Sequence, residues 1–412
     1  MPLRRVLEFL GMRKAGVYIQ VPFCQTKCTY CNFHTGVVSA GRFAPYVEAA
    51  CREIREYRRL LDSSGVNLPP ELARGLANEA FVADTVYVGG GTPSLLEPRL
   101  LGEMLRALRE TFACAFKEVT LEADPETVDA EKAAAWAEMG FDRISFGTQS
   151  FVDEELRAAG RMHRRADIYR AVPTLRAAGI GNISFDLIAG LPKQTRESWR
   201  QSLAEAVALR PEHISIYMME IDEGSRLGLE VFQGGARYSA RELPSEEAMA
   251  EFYETAQAEL KVVGYAQYEI SNWARTGFES QHNLKYWRRE AYLGFGAGAH
   301  SFSGRQRWAN RHDAAAYVAA IAEGKSAVET VDEVTPAMAL EEEFFLGLRQ
   351  LVGIEVGRIE REYGVSFREK AEKLAAAGMV ENHGERLRLP EGKLSVSNEV
   401  IVELLRAAEA VA

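Results

Sequence analysis

The chain has 412 residues, 47% hydrophobic and 26% charged, the balance of an ordinary folded protein and not of a disordered, collagen-like or linker sequence. At roughly 150 residues per domain it is long enough for two or three domains. No charge-free apolar run reaches the ~18 residues that a membrane-crossing helix needs. Its 49 Lys and Arg against 59 Asp and Glu give a net charge of −10, which argues against general nucleic-acid binding. The start, MPLRRVLEFLGMRK, has one short apolar patch and no small-residue cleavage site, so a cytoplasmic location is expected.

In chain order, valine- and isoleucine-rich runs predict strands at residues 16–21, 84–88, 118–123, 143–147, 183–188 and 213–218. Amphipathic stretches at 43–61, 100–111, 130–139, 168–178 and 198–209 predict the helices between them. Alternating strands and helices mean a parallel sheet, and six units are too few for a full eight-stranded barrel. The expected fold class is therefore α/β, a partial barrel or doubly wound sheet with its ligand at the carboxyl ends of the strands. Residues 63–80, with Pro69-Pro70 and no clear period, read as a loop-rich insertion. A long helix is expected at 245–263, then a strand-like YAQYEIS and a glycine-rich LGFGAGAHS at 293–301. From residue 335 the character changes to helices at 340–351, 356–363 and 367–377, a hairpin around 379–389 and a helix at 398–410. This pattern predicts a mostly helical, winged-helix-like carboxyl-terminal domain. Its mixed charge favours a packing or lid role over DNA binding. The expected divisions are 1–225, 226–333 and 334–412.

Three of the five cysteines, Cys24, Cys28 and Cys31, fall within eight residues just after the first strand. Five in this length are too few for a disulfide scaffold. Thiolates suit iron–sulfur clusters or zinc, but structural zinc usually takes two ligand pairs. Cys51, in a helix among Ala49, Ala50 and Ile54, and Cys114, between two alanines, are not placed to complete a pair and read as small packed hydrophobes. Three thiolates on a four-iron cluster leave one iron for an outside ligand, and Tyr30 stands where it can shield one side.

The C-x3-C-x2-C loop after a first strand resembles the signature of the radical S-adenosylmethionine superfamily. The resemblance implies a 4Fe–4S cluster on Cys24, Cys28 and Cys31, with S-adenosylmethionine on the fourth iron and reductive cleavage to a 5′-deoxyadenosyl radical. Behind the later strands stand the turn Gly89-Gly90-Gly91-Thr92, then Glu122, Gln149, Arg161 and Asp186. Glycines let a ligand approach backbone N–H and C=O groups. The carboxylates can take hydroxyls or an ammonium, and Arg161 can pair a carboxylate. Together they read as a polar ring for a zwitterionic nucleoside.

YIQVPFC, YVGGGTPSLL, LEADPETV, RISFGTQSF, FDLIAGLPKQT, YEISNWA and GFGAGAHSF resemble the oxygen-independent coproporphyrinogen III oxidase group over almost the whole chain. That resemblance implies that Tyr18, Tyr30, Gly90, Gly91, Thr92, Glu122, Gln149, Arg161 and Asp186 lie at S-adenosylmethionine, with His300 in a segment lining the same pocket. The oxidases carry a fourth loop cysteine, whereas here Cys31 is followed by Asn32-Phe33. His282-Asn283-Leu284-Lys285-Tyr286-Trp287 is similar to the HNxxYW motif of the HemW haem chaperone family. Histidine is a normal axial ligand to haem iron, which makes His282 the expected haem contact. The implied function is binding haem and delivering it to acceptor haemoproteins, with an electron donor such as a flavodoxin or ferredoxin and a homodimer as the possible assembly. Oxidative decarboxylation of coproporphyrinogen III is the alternative.

Overall fold

A computed structural model describes residues 13–66 and 81–409. The amino-terminal stretch and most of the expected 63–80 insertion lie outside the described residues. Six strands, β1 (Arg13–Val21), β2 (Phe81–Gly90), β3 (Ala113–Ala123), β4 (Arg143–Gln149), β5 (Asn182–Ala189) and β6 (His213–Met218), pair in parallel and in sequence order. The six-strand expectation holds because the runs are largely buried on both faces, as parallel strands require, with only the end of β6 at Tyr217 and Met218 exposed. The helices α1 (Phe43–Arg55), α2 (Tyr57–Asp62), α3 (Pro98–Thr111), α4 (Ala130–Met139), α5 (Asp153–Ala158), α6 (Arg165–Ala177) and α7 (Arg196–Ala208) return the chain between them. The single helix expected at 43–61 is two, because Glu56 leaves helical geometry at φ −99° and ψ 11°.

Helices α8 (Arg226–Phe232) and α9 (Glu246–Val262) follow β6. The strand expected in YAQYEIS is β7 (Ala266–Glu269), which turns tightly into β8 (Asn272–Ala274), and the buried Glu269 carboxylate accepts Ser271 N–H at 3.0 Å to hold the turn. Helix α10 (Gln281–Trp287) contains HNLKYW. Four strands, β9 (Tyr292–Phe295), β10 (His300–Phe302), β11 (Gln306–Asn310) and β12 (Val328–Glu333), then extend the sheet beyond β1, with α11 (Ala314–Ala322) behind them. The order is β12-β11-β10-β9-β1-β2-β3-β4-β5-β6-β8-β7.

Besides the pairing of β9 with β1, a buried carboxylate ties the extension to the barrel. Glu53 of α1 accepts Gly296 N–H at 2.8 Å, Asn310 Nδ2 at 2.6 Å and Tyr317 OH at 2.6 Å. Burial nevertheless pushes its carboxyl up to about 7. The native state therefore holds this proton where an unfolded glutamate, at about 4.3, has lost it, so its stabilising contribution is lost as pH rises through about 7. Glu53→Gln, which copies the protonated form, should gain on the wild type by about 1–3 kcal/mol between pH 5 and pH 8 in urea titrations. A pH-independent difference would contradict this.

The carboxyl-terminal unit has its own core of Leu340, Phe344, Ile359, Leu387, Ile401 and Leu404. It comprises α12 (Pro336–Gly347), β13 (Ile354–Glu355), α13 (Val356–Tyr363), α14 (Arg368–Ala376), β14 (Glu381–His383), β15 (Arg386–Arg388) and α15 (Ser397–Glu409). The short strands form a separate sheet in the order β13-β15-β14, the winged arrangement expected. Arg289 and Arg307 both pair with Glu342, and Gln350 Nε2 donates to Trp287 O at 3.0 Å. These contacts reach the end of α10 and strand β11 of the extension.

Candidate functional site

At the mouth, β1 runs into the cysteine loop. Its neck is closed by Cys24 N–H to Gly36 O at 3.1 Å and Gly36 N–H to Pro22 O at 2.9 Å. Its tip hangs between two helices: Thr29 N–H donates to Ala159 O at 3.0 Å, and Leu227 N–H of α8 to Thr29 O at 2.8 Å.

Cys24, Cys28 and Cys31 are free and partly buried, and burial raises the thiols of Cys24 and Cys31. Among the described residues, no three His, Cys, Asp or Glu side chains converge to hold a single metal ion. Three soft thiol donors on one loop, with Cys31 within electrostatic reach of both Cys24 and Cys28, suit an iron–sulfur cluster. Cys51 is buried and Cys114 donates to Phe112 O at 3.3 Å, both remote in role from the loop.

The glycine turn abuts the loop neck. Gly91 N–H donates to Val21 O at 2.8 Å, Thr92 N–H to Phe23 O at 2.6 Å and Gly90 N–H to Glu122 Oε2 at 2.8 Å. The expectation of free N–H groups here is corrected: those of Gly90, Gly91 and Thr92 are spent on the protein. Gly90 has φ +112°, a conformation for which glycine is the default residue.

Glu122 also accepts Tyr87 OH at 2.9 Å, while Tyr18 OH donates to Gln20 at 2.6 Å close by. Burial pushes the Glu122 carboxyl up to about 7 against its two donors, and burial likewise raises Asp186, which Ser145 donates to at 3.2 Å. Tyr30 packs against Ala159, Ile188 and Leu191 beside the loop. Gln149 adopts φ +61° at the end of β4, a rare conformation for a residue with a side chain. The structure therefore gathers Tyr18, Tyr30, the glycine turn, Glu122, Gln149, Arg161 and Asp186 around one mouth.

Arg161 links this ring to the cysteines. It donates to Cys28 Sγ at 3.4 Å and Gly147 O at 2.8 Å, and pairs with Asp124, which also accepts Thr92 OH at 3.1 Å. Burial opposes the guanidinium charge, but Asp124, Cys28 and Tyr30 hold its protonation well above the usual range. Asp124 was not among the residues expected from sequence. Its signal was its place two residues beyond Glu122, at the end of the same strand. Acceptors for hydroxyl and ammonium groups beside one guanidinium suit a zwitterionic nucleoside.

Two expected residues lie elsewhere. His300 is exposed on the rim at the start of β10, outside this ring. His282 is buried in the barrel floor, with Nδ1 bonded to Thr85 Oγ1 at 2.9 Å and Nε2 to Tyr286 OH at 2.8 Å. Burial, followed by the Lys285 charge, lowers its imidazole to about 3. Both ring nitrogens are engaged, so neither is free for haem iron in this arrangement. Lys285 beside it pairs with buried Asp84 at 2.8 Å, which makes this motif a floor plug.

The sequence profile of the Radical SAM superfamily matches residues 18–206, and that of the HemN C-terminal domain residues 334–392. The heme chaperone HemW of Bacillus subtilis is 34% identical over 390 residues, spanning 93% of this chain and 97% of that one. The chain belongs to the HemW family. The heme chaperone HemW of Mycobacterium tuberculosis is 33% identical over 392 residues, 95% of this chain and 94% of the relative. The structure of coproporphyrinogen III oxidase (HemN) from Escherichia coli, a radical SAM enzyme, superposes with a TM-score of 0.78 at 20% identity, covering 98% of this chain and 93% of that one. That likeness establishes the shared HemN-type fold. Among the described residues of this HemW-family chain, no helix is long and apolar enough to cross a membrane.

Proposed function

We propose that this protein binds haem and delivers it to acceptor haemoproteins in the cytoplasm. The observation that carries the reading is the likeness to heme chaperones over 97% of the length of the Bacillus subtilis relative. In this reading Cys24, Cys28 and Cys31 hold a 4Fe–4S cluster. Tyr18, Tyr30, Gly90, Gly91, Thr92, Glu122, Gln149, Arg161 and Asp186 hold S-adenosylmethionine. When bound, the pair supplies low-potential electron transfer, fed by a flavodoxin or ferredoxin. Arg161 positions Cys28 and meets a carboxylate, and the acids orient hydroxyl and ammonium groups away from water. Residues 1–225 form the cofactor-binding part, 226–333 its extension and floor, and 334–412 the packing unit, with a homodimer as the working assembly.

Asn32 and Phe33 favour the chaperone over the oxidase. No sulfur follows Cys31; instead Asn32 Nδ2 donates to Asp222 at 3.0 Å, and Phe33 points into solvent. The test is anaerobic reconstitution followed by haem in one sample and coproporphyrinogen with reductant in another. About one haem per chain and no porphyrinogen turnover are expected, and catalytic conversion would sink the reading. Cys24→Ala should lose the full cluster, read as iron and acid-labile sulfide. A complete cluster in that variant would remove Cys24 from the ligand set.

A further inference from the structure

Seven histidines are present, and their surroundings divide them. His163, His213 and His282 are buried and hydrogen-bonded within the barrel, and His383 lies on the small wing sheet. The remaining three, His34, His300 and His312, are exposed and meet at one place. The rings of His34 and His312 lie 4.1 Å apart between centroids. His300 is close enough to both that, after burial, their charges and that of Arg307 lower its imidazole. No hydrogen bond occupies the ring nitrogens of these three among the described residues.

The topology explains the gathering. Strand β9 pairs in parallel with β1, so the turn after it, where His300 begins β10, sits beside the start of the cysteine loop. Strand β11 runs antiparallel to β10 and ends at the same rim, two residues before His312. His34 comes from the cysteine loop itself, three residues beyond Cys31. Around it stand Phe33, 67% exposed, Val37, 59% exposed, and Val38. Arg311 adjoins His312, makes no ion pair among the described residues, and has a buried Nε without a partner.

We propose that the haem iron is taken at this rim, by axial imidazole ligation from the cluster of His34, His300 and His312, at most one imidazole on each face of the macrocycle. This rests on the haem-binding reading and names the site within it. A neutral imidazole offers one lone pair, the usual protein ligand to haem iron. Exposed aromatic and branched side chains beside it can cover a face of the macrocycle. Arg311 supplies a cation for a propionate carboxylate. Coordination replaces solvent on the iron and needs no change of oxidation state. An exposed rim also suits cargo that must be handed on, whereas a ligand in the floor would require the barrel to open.

The test titrates ferric haem into the cluster-loaded full chain and its triple variant His34→Ala/His300→Ala/His312→Ala, following the Soret band and the low-spin electron paramagnetic signal. The triple variant should lose the imidazole-ligated low-spin signal and bind haem at least tenfold more weakly, with unchanged iron–sulfide content and circular dichroism. His34→Gln/His312→Gln, which keeps the polarity of the surface, should show the same spectral loss. Wild-type spectrum and affinity in the triple variant would overturn this assignment. Failure of the wild type to bind haem at all would instead overturn the haem reading on which it rests.

Discussion

Replacing Arg161 with alanine should lower the unfolding free energy by about 3–5 kcal/mol, the loss typical when one member of a buried ion pair is removed. Asp124 would keep only the Thr92 hydroxyl among its side-chain partners, in a site where its side chain is 19% exposed and that of Arg161 10%. The same substitution removes the donor at Cys28 Sγ and the one at Gly147 O, so cluster loading should fall as well. Arg161→Lys should recover only part of the loss, because an ammonium on a flexible stem cannot serve all three acceptors as a planar fork does. Urea denaturation with an unchanged m-value measures the first effect, and iron content the second. A loss below about 1 kcal/mol would mean that the pair behaves as a solvent-screened surface contact.

Gly91→Ala is expected to be as severe, for a steric reason. A Cβ on Gly91 would lie 2.4 Å from the Phe23 carbonyl oxygen and 2.8 Å from the Phe23 carbonyl carbon and nitrogen. Those are backbone atoms and cannot rotate away. The glycine turn must therefore separate from the loop neck, which overpacks the site at about 1–3 kcal/mol and endangers two hydrogen bonds of about 1 kcal/mol each. Expected are a clear fall in melting temperature and poor cluster reconstitution. Gly102→Ala in α3 is the control, since its Cβ would meet only the flexible Met139 side chain at 3.1 Å. Equal behaviour of the two variants would show that the turn yields without cost.

The readable parts of the site were those whose chemistry is local. Cys24, Cys28 and Cys31 announce themselves by spacing, Glu122 by closing a strand that the apolar pattern already marked, and Asp186 by interrupting another. Asp124 escaped because nothing in LEADPETV separates an acid that faces Arg161 from one that caps a turn. YAQYEIS did give a strand, β7, but nothing in its pattern marks the end, where the chain turns after Glu269 so that its carboxylate accepts Ser271 N–H. The spent N–H groups of Gly90, Gly91 and Thr92 also required the neighbouring strand and loop to be in view.

Sequence by itself determined the soft-ligand loop, the six alternating units and the likeness that placed the chain within the HemW family. Each depends on residue type at short spacing, which chain order preserves. Only the tertiary structure decided what the histidines can do. His282 stands in a recognisable motif, yet packing buries it on Thr85 and Tyr286 and engages both its nitrogens. His34 and His312 stand 278 positions apart in a 412-residue chain with no motif between them, and the sheet extension sets their rings side by side. A lone pair can bind iron only where packing leaves it uncovered, and pairing across a sheet is what decides that.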